Sequence, residues 1–218
     1  MKTRARAKVF LVDDHEVVRA GLTSLLSAEP DMAVCGEAAT AAQALERIPA
    51  AAPDLVILDL SLGAGSGLSL LKDLRTRHPG IPVLVLSIHD EQLYAERVLH
   101  LGAMGYVMKQ EAADTLRSAA REVLAGRIHV SPRMNETLIA SVAGRTAGGS
   151  VSPVGRLTNR EMEVFELIGR GIGTRSIARR LCLSVKTIET HRANIKEKLG
   201  LENATQLVAH AVRHFPER

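Results

Sequence analysis

The sequence predicts an α/β domain over residues 1–126, a doubly wound five-stranded parallel sheet in the order 2-1-3-4-5. A linker at 127–155 and a small all-α domain of four helices, with a helix-turn-helix, at 156–218 complete the chain. Three observations predict this. Short runs of consecutive apolar residues alternate five times with helix-spaced segments, the pattern of strands buried on both faces and joined by crossover helices. Next comes a stretch rich in Gly, Ser and Ala, from Ala143 to Pro153, beyond which only helix signals recur. Finally, the formal charge of +4 conceals a division between the halves. Residues 8–125 hold 10 Lys/Arg against 16 Asp/Glu, whereas residues 156–218 hold 12 against 7. An acidic half joined to a basic half implies that only the second meets a polyanion.

The elements follow in order. Lys8–Val12 is a strand ending on Asp13-Asp14, and Val17, Leu22, Leu25 and Leu26 recur at helical spacing. Met32–Cys35 is a short strand and Ala41–Ile48 a short Ala-rich helix. The run Leu55-Val56-Ile57-Leu58 between Asp54 and Asp59 is a fully buried strand, cut off by the glycines at 63, 65 and 67. Leu68, Leu70, Leu71 and Leu74 mark a helix stopped near Pro79-Gly80. Strand Val83–Leu86 ends on Ser87, and helix Glu91–Leu101 closes at Gly102. Strand Gly105–Val107 leads to Lys109, and helix Glu111–Ala125 stops at Gly126. The linker has room for at most one short helix.

Asp13, Asp14, Asp59, Ser87 and Lys109 all fall at the carboxyl ends of strands. In this topology that edge carries the ligand site. Three carboxylates brought together repel one another unless a cation joins them. A hard ion such as Mg²⁺, held by a few carboxylates and waters, meets that need, with Lys109 as a second positive charge. Such a site would offset the charge of an incoming phosphoryl group, and Ser87 could hydrogen-bond one of its oxygens.

The C-terminal module opens on Thr158-Asn159-Arg160-Glu161, a capping box, with Leu157 and Met162 as a hydrophobic staple. Thr174 is expected to cap a second helix and Ser184 a third, which runs to Leu199 and stops at Gly200. A fourth lies near Asn203 to His214. In the third helix Ile188, Ile195 and Leu199 define the buried stripe. Lys186, Glu189, Thr190, Ala193 and Lys196 then share the opposite face. Small Ala193 and short Thr190 among basic residues suit a helix lying in a duplex groove. Phosphate contacts are expected from Lys186, Thr187, His191 and Arg192, and base-edge contacts from Glu189, Thr190 and Ala193.

Leu11-Val12-Asp13-Asp14-His15, the Asp59 strand, Leu86-Ser87 and Gly105-Tyr106-Val107-Met108-Lys109 resemble the receiver domain of bacterial two-component response regulators. The module from Leu157 through Thr187-Ile188-Glu189-Thr190-His191 to Gly200 resembles the LuxR-type DNA-binding domain. Together they resemble the NarL/FixJ family, over nearly everything except the linker. The resemblance implies that Asp59 is the phosphoacceptor. It also implies that Asp13, Asp14 and Asp59 hold Mg²⁺ together with the Ser61 main-chain carbonyl. Ser87 and Tyr106 become the switch pair and Lys109 the phosphoryl partner. A sensor histidine kinase, double-stranded promoter DNA and a homodimer favoured by phosphorylation are the implied partners. Two residues depart from the family pattern: Gly63 replaces the usual Pro, and Ile88 follows the switch Ser where a small residue is common.

Other classes fit less well. A phosphohydrolase using Asp59 as nucleophile would need a second acid two residues on, where Ser61 stands, so no enzyme is expected. A receiver-like fold serving only for dimerisation would not need all five site residues. No run of eighteen apolar residues exists, so no membrane role and a cytoplasmic location are expected. Cys35 and Cys182 show no metal spacing and are read as unpaired core thiols.

Overall fold

The computed structural model describes residues 6–62, 66–142 and 153–215. They form two compact units that divide near residue 145. In the first, β1 (Ala7–Val12), β2 (Met32–Ala38), β3 (Leu55–Leu58), β4 (Val83–Ser87) and β5 (Gly105–Met108) pair in parallel in the order β2-β1-β3-β4-β5. The intervening helices are α1 (Glu16–Ser27), α2 (Ala41–Ala51), α3 (Gly67–Arg77), α4 (Glu91–His100) and α5 (Ala113–Leu124). Leu55, Val56, Ile57 and Leu58 are all buried because helices cover both faces of β3. One core cluster joins Val9, Leu11, Ile57, Leu84 and Val107 to Leu26 of α1 and to Leu116, Ala120 and Val123 of α5.

Strand register brings the site residues to one edge. Leu58 pairs with both Val12 and Val85, and Ser87 pairs with Met108, so Asp13, Asp59, Ser87 and Lys109 lie on adjacent rows. The peptide carrying Asp59 is pinned from behind by α3. A Cβ on Gly67 would stand 2.4 Å from Leu60 Cα and 2.5 Å from the Asp59 carbonyl oxygen, so only glycine fits there.

Residues 127–142 lie against this unit. The main-chain N–H of Tyr106 donates to the carbonyl of His129, and His129 N–H donates to that of Met104, which gives β5 a one-residue partner on its outer edge. Ser131 N–H donates to Glu91 at the start of α4, and α6 (Pro132–Val142) packs on α4 with Met134 buried. The short helix that the linker had room for is therefore a docked one. Of the Gly-, Ser- and Ala-rich stretch from Ala143 to Pro153, residues 143–152 lie outside the described residues, as does Gly63.

The second unit begins with a 3₁₀ turn (Pro153–Arg156), followed by α7 (Asn159–Gly169), α8 (Thr174–Arg180), α9 (Val185–Leu199) and α10 (Ala204–His214). The Thr158–Glu161 capping box is formed in both directions, and Leu157 and Met162 are buried. Glu161 also binds Lys198 at 2.6 Å, so one carboxylate caps α7 and ties it to α9. Burial alone would raise the Glu161 pKa, but the bonds from Lys198 and Thr158 hold it below the usual range. Two expectations need correction. Gly173, not Thr174, caps α8; Thr174 is its first helical residue and no side-chain bond closes that end. Cys182 is exposed, not in the core, because it sits in the turn between α8 and α9 with φ of +53°.

Candidate functional site

Asp59 lies immediately beyond β3 and is 2 % exposed. Its Oδ2 stands 2.7 Å from Lys109 Nζ, and its Oδ1 accepts from Ser61 N–H at 3.1 Å. Lys109 also reaches Asp13 Oδ2 at 2.6 Å, so one ammonium bridges two carboxylates. Each of Asp13, Asp14, His15 and Asp59 offers one ligand atom to a cluster whose atoms lie within 4.8 Å of one another. His15 Nδ1 is 2.9 Å from Asp14 Oδ1 and 3.2 Å from Asp13 Oδ1. Burial pushes the Asp59 carboxyl up to about 6, with Lys109 pulling against it and Asp13 adding to the rise. Burial also opposes the charge of Lys109, yet the carboxylates of Asp59 and Asp13 hold its pKa above the ordinary value. A crowd of carboxylates with a partly cancelled negative charge is a donor set for a hard, oxygen-seeking cation. The residues present fit a Mg²⁺ ion.

Ser87 and Tyr106 sit beside this cluster. Both are buried, and the Ser87 Oγ accepts from His89 N–H at 3.3 Å. The Tyr106 hydroxyl donates to the His89 carbonyl at 2.9 Å. Burial raises the phenol pKa well beyond its ordinary value, with a bond from Ser87 acting the other way. Sequence reading passed over His89. Its Nε2 lies 2.9 Å from the Ser61 hydroxyl, and its ring stacks on Tyr94 of α4 at a centroid distance of 4.6 Å. His89 thus joins the loop after Asp59 to the start of α4. Nothing in a local pattern marks it except its place two residues after Ser87. Ile88, between Ser87 and His89, is exposed.

In the second unit, α9 turns Lys186, Glu189, Thr190 and Ala193 to solvent while Ile188 and Ile195 are buried. Thr187, His191, Arg192 and Lys196 are half-buried along its flanks. Thr187 serves the helix start, since its N–H donates to Ser184 Oγ and its hydroxyl lies 2.8 Å from the same atom. His191 falls on the Ile188–Ile195 stripe, and its Nδ1 is shielded within the unit. Glu189 and Arg192 approach to 3.8 Å. Arg175 and Arg179 of α8 are exposed and were not singled out from the sequence.

The family model for the response regulator receiver domain matches residues 9–121, and that for the luxR family of bacterial regulatory proteins matches residues 155–211. The DNA-binding transcriptional activator DevR/DosR of Mycobacterium tuberculosis is 38% identical over 204 residues, covering 94% of this chain and 93% of that protein. The chain belongs to the NarL/FixJ family of response regulators. It is a DNA-binding transcription regulator with a receiver domain and a LuxR-type module. Among solved structures, RcsB of Salmonella enterica bound to the rprA promoter with the phosphomimetic BeF₃⁻ is similar to this regulator at a TM-score of 0.73. The identity is 27%, over 95% of this chain and 99% of that one. A second RcsB structure, two dimers bound to two parallel DNAs, matches at a TM-score of 0.71 and 26% identity, over 95% and 99% of the two chains. No helix among the described residues of the regulator is long and apolar enough to cross a membrane.

Proposed function

We propose that this regulator is switched by phosphorylation of Asp59, with a sensor histidine kinase as the donor. The readout is binding to double-stranded promoter DNA as a homodimer that phosphorylation favours. The buried Asp59 carboxylate, 2.7 Å from Lys109 Nζ and clustered with Asp13 and Asp14, carries this reading. An ionised Asp59 oxygen attacks the phosphorus of a phosphohistidine. The P–N bond breaks, its electron pair leaves with the imidazole, and an acyl phosphate forms on Asp59. Lys109 offsets the charge that accumulates on the transferred group, and the Ser87 hydroxyl donates to one of its oxygens. Asp13, Asp14, Asp59 and the Ser61 main-chain carbonyl would hold Mg²⁺, which when bound neutralises charge on the phosphoryl oxygens. Ser87 and Tyr106 then act as the switch pair, because Ser87 Oγ accepts from the His89 N–H and the Tyr106 hydroxyl donates to the His89 carbonyl, at the residue that leads into α4.

The functional division follows the sequence reading: receiver at 1–126, connecting segment at 127–155 and DNA-binding module at 156–218. Helix α9 lies in the major groove, with Glu189, Thr190 and Ala193 toward base edges. Lys186, Thr187 and Arg192 flank them toward phosphates and Lys196 continues the charged face, whereas His191, expected there from the sequence, lies on the buried stripe. The RcsB complexes, one on the rprA promoter and one of two dimers on two parallel DNAs, support the reading that this regulator binds DNA. The regulator works in the cytoplasm and turns over no substrate of its own. Labelling with radioactive acetyl phosphate tests the reading. Wild type should incorporate label only with Mg²⁺ and Asp59→Asn none; Mg²⁺-dependent label retained on Asp59→Asn would move the phosphoacceptor elsewhere.

A further inference from the structure

We infer that Arg19 is a positioning residue for the paired acids, holding the Asp13–Asp14 turn in the form that accepts a divalent cation. This rests on the reading that the acids hold such a cation. Arg19 projects from α1, and its Nη1 donates to the Asp13 main-chain carbonyl at 2.7 Å. Its Nε lies 3.3 Å from Glu37 Oε2 on β2, and the other oxygen of Glu37 accepts from Thr23 Oγ1 at 2.7 Å. The guanidinium is therefore fixed between a strand and a helix, with only 15% of the side chain exposed. Asp13 is held from its remaining sides as well. Its N–H donates to the Ala38 carbonyl at 3.1 Å, and its Oδ1 accepts from His15 N–H at 2.9 Å.

The turn needs such a restraint. His15, at the N-cap of α1, makes no side-chain cap bond, so the usual bond that fixes a helix entry is absent. Two adjacent carboxylates facing a third repel one another, and an unrestrained turn would relax by spreading them. A small cation with strict octahedral demands then has to gather them again, which weakens its binding. Arg19 removes that step by clamping the peptide from behind, through the carbonyl and not through the carboxylate itself.

A purely electrostatic role predicts the opposite sign. Deleting a positive charge beside an acidic site should tighten cation binding, whereas loss of the clamp should weaken it. Arg19→Ala and Arg19→Lys separate the two, because lysine keeps the charge but not the planar fork that spans Asp13 and Glu37. The measurement is a titration of the full-length chain with Mn²⁺, read from the free-ion EPR signal, with Mg²⁺ as competitor. Melting temperatures in EDTA are recorded alongside. Both variants should bind the cation about tenfold more weakly, as when a group that orients a metal ligand is lost, and Arg19→Lys should melt close to wild type. Unchanged or tighter binding in Arg19→Lys, or tighter binding in Arg19→Ala, overturns the inference. Asp14→Asn is the separating control. If it binds Mn²⁺ as wild type does, the acids are not the cation site and the positioning role falls with them. If it loses binding while Arg19→Lys keeps it, only the positioning role fails.

Discussion

The Tyr106 hydroxyl donates to the main-chain carbonyl of His89 across 2.9 Å, and this bond folds the Tyr106 side chain into the protein. The same residue is held on its backbone side by the His129 carbonyl. Tyr106→Phe removes this donor to the His89 carbonyl. A loss of about 1–2 kcal/mol in the stability of the unphosphorylated protein is expected, measured by urea unfolding. An unchanged midpoint would show that water replaces the phenol there.

Asp59 makes stability depend on pH. Its pKa of about 6 in the folded protein lies above the ordinary 3.8, so the folded state binds its proton more tightly than the unfolded chain. Stability from this group is greatest below the ordinary value, falls as pH rises through about 6 and is level above that. The difference of about 2 units corresponds to roughly 3 kcal/mol. In EDTA, Asp59→Asn should therefore be more stable than wild type at pH 8, with the gap closing toward pH 4. Urea midpoints of the two proteins across that range check this, and a gap independent of pH would assign the titration elsewhere.

Lys109→Ala leaves Asp13 and Asp59 without the ammonium they share. The variant should fold and still acquire label from acetyl phosphate, but phosphorylation should no longer raise DNA binding. Fluorescence anisotropy of a promoter duplex with and without beryllofluoride reads this. A response like that of wild type would remove Lys109 from the switch.

Glu189 and Lys186 should behave differently although both are exposed on α9. Glu189→Ala should cost about 1–3 kcal/mol at the cognate site and relax preference at one base pair. Lys186→Ala should weaken all sequences alike and lower the salt slope by roughly one. Exchanged behaviour would mean that α9 is rotated in the groove relative to the proposed pose.

Phosphorylation is expected to act by favouring a dimer. Two tethered modules gain on the order of a hundredfold in apparent affinity without new contacts. Sedimentation with and without beryllofluoride, beside DNA binding by residues 150–218 alone, decides this. A modified protein that remains monomeric yet binds DNA more tightly excludes dimerisation as the lever. If residues 150–218 alone then bind DNA far better than the unmodified full-length protein, masking of Thr187 to Lys196 replaces it.

The sequence by itself determined the receiver's sheet and the four helices that follow, because each signal is local. Strands such as Leu55–Leu58 are buried on both faces and so read as unbroken apolar runs. Helix starts such as Thr158 and Ser184 carry their capping partners within three residues. The acids and Lys109 were legible for the same reason, since each follows directly on a strand. Tertiary structure alone decided which groups hold them. His89 meets Ser61 across 28 positions, Arg19 meets Glu37 across 18, and Ser131 meets Glu91 across 40. A bond of that kind joins two segments that share no periodicity, so neither side announces it. The docking of residues 129–134 on β5 and α4 belongs to the same class. Their composition permits a free tether, and only the open edge of β5 and the Glu91 carboxylate, supplied by distant segments, give that stretch a place to bind.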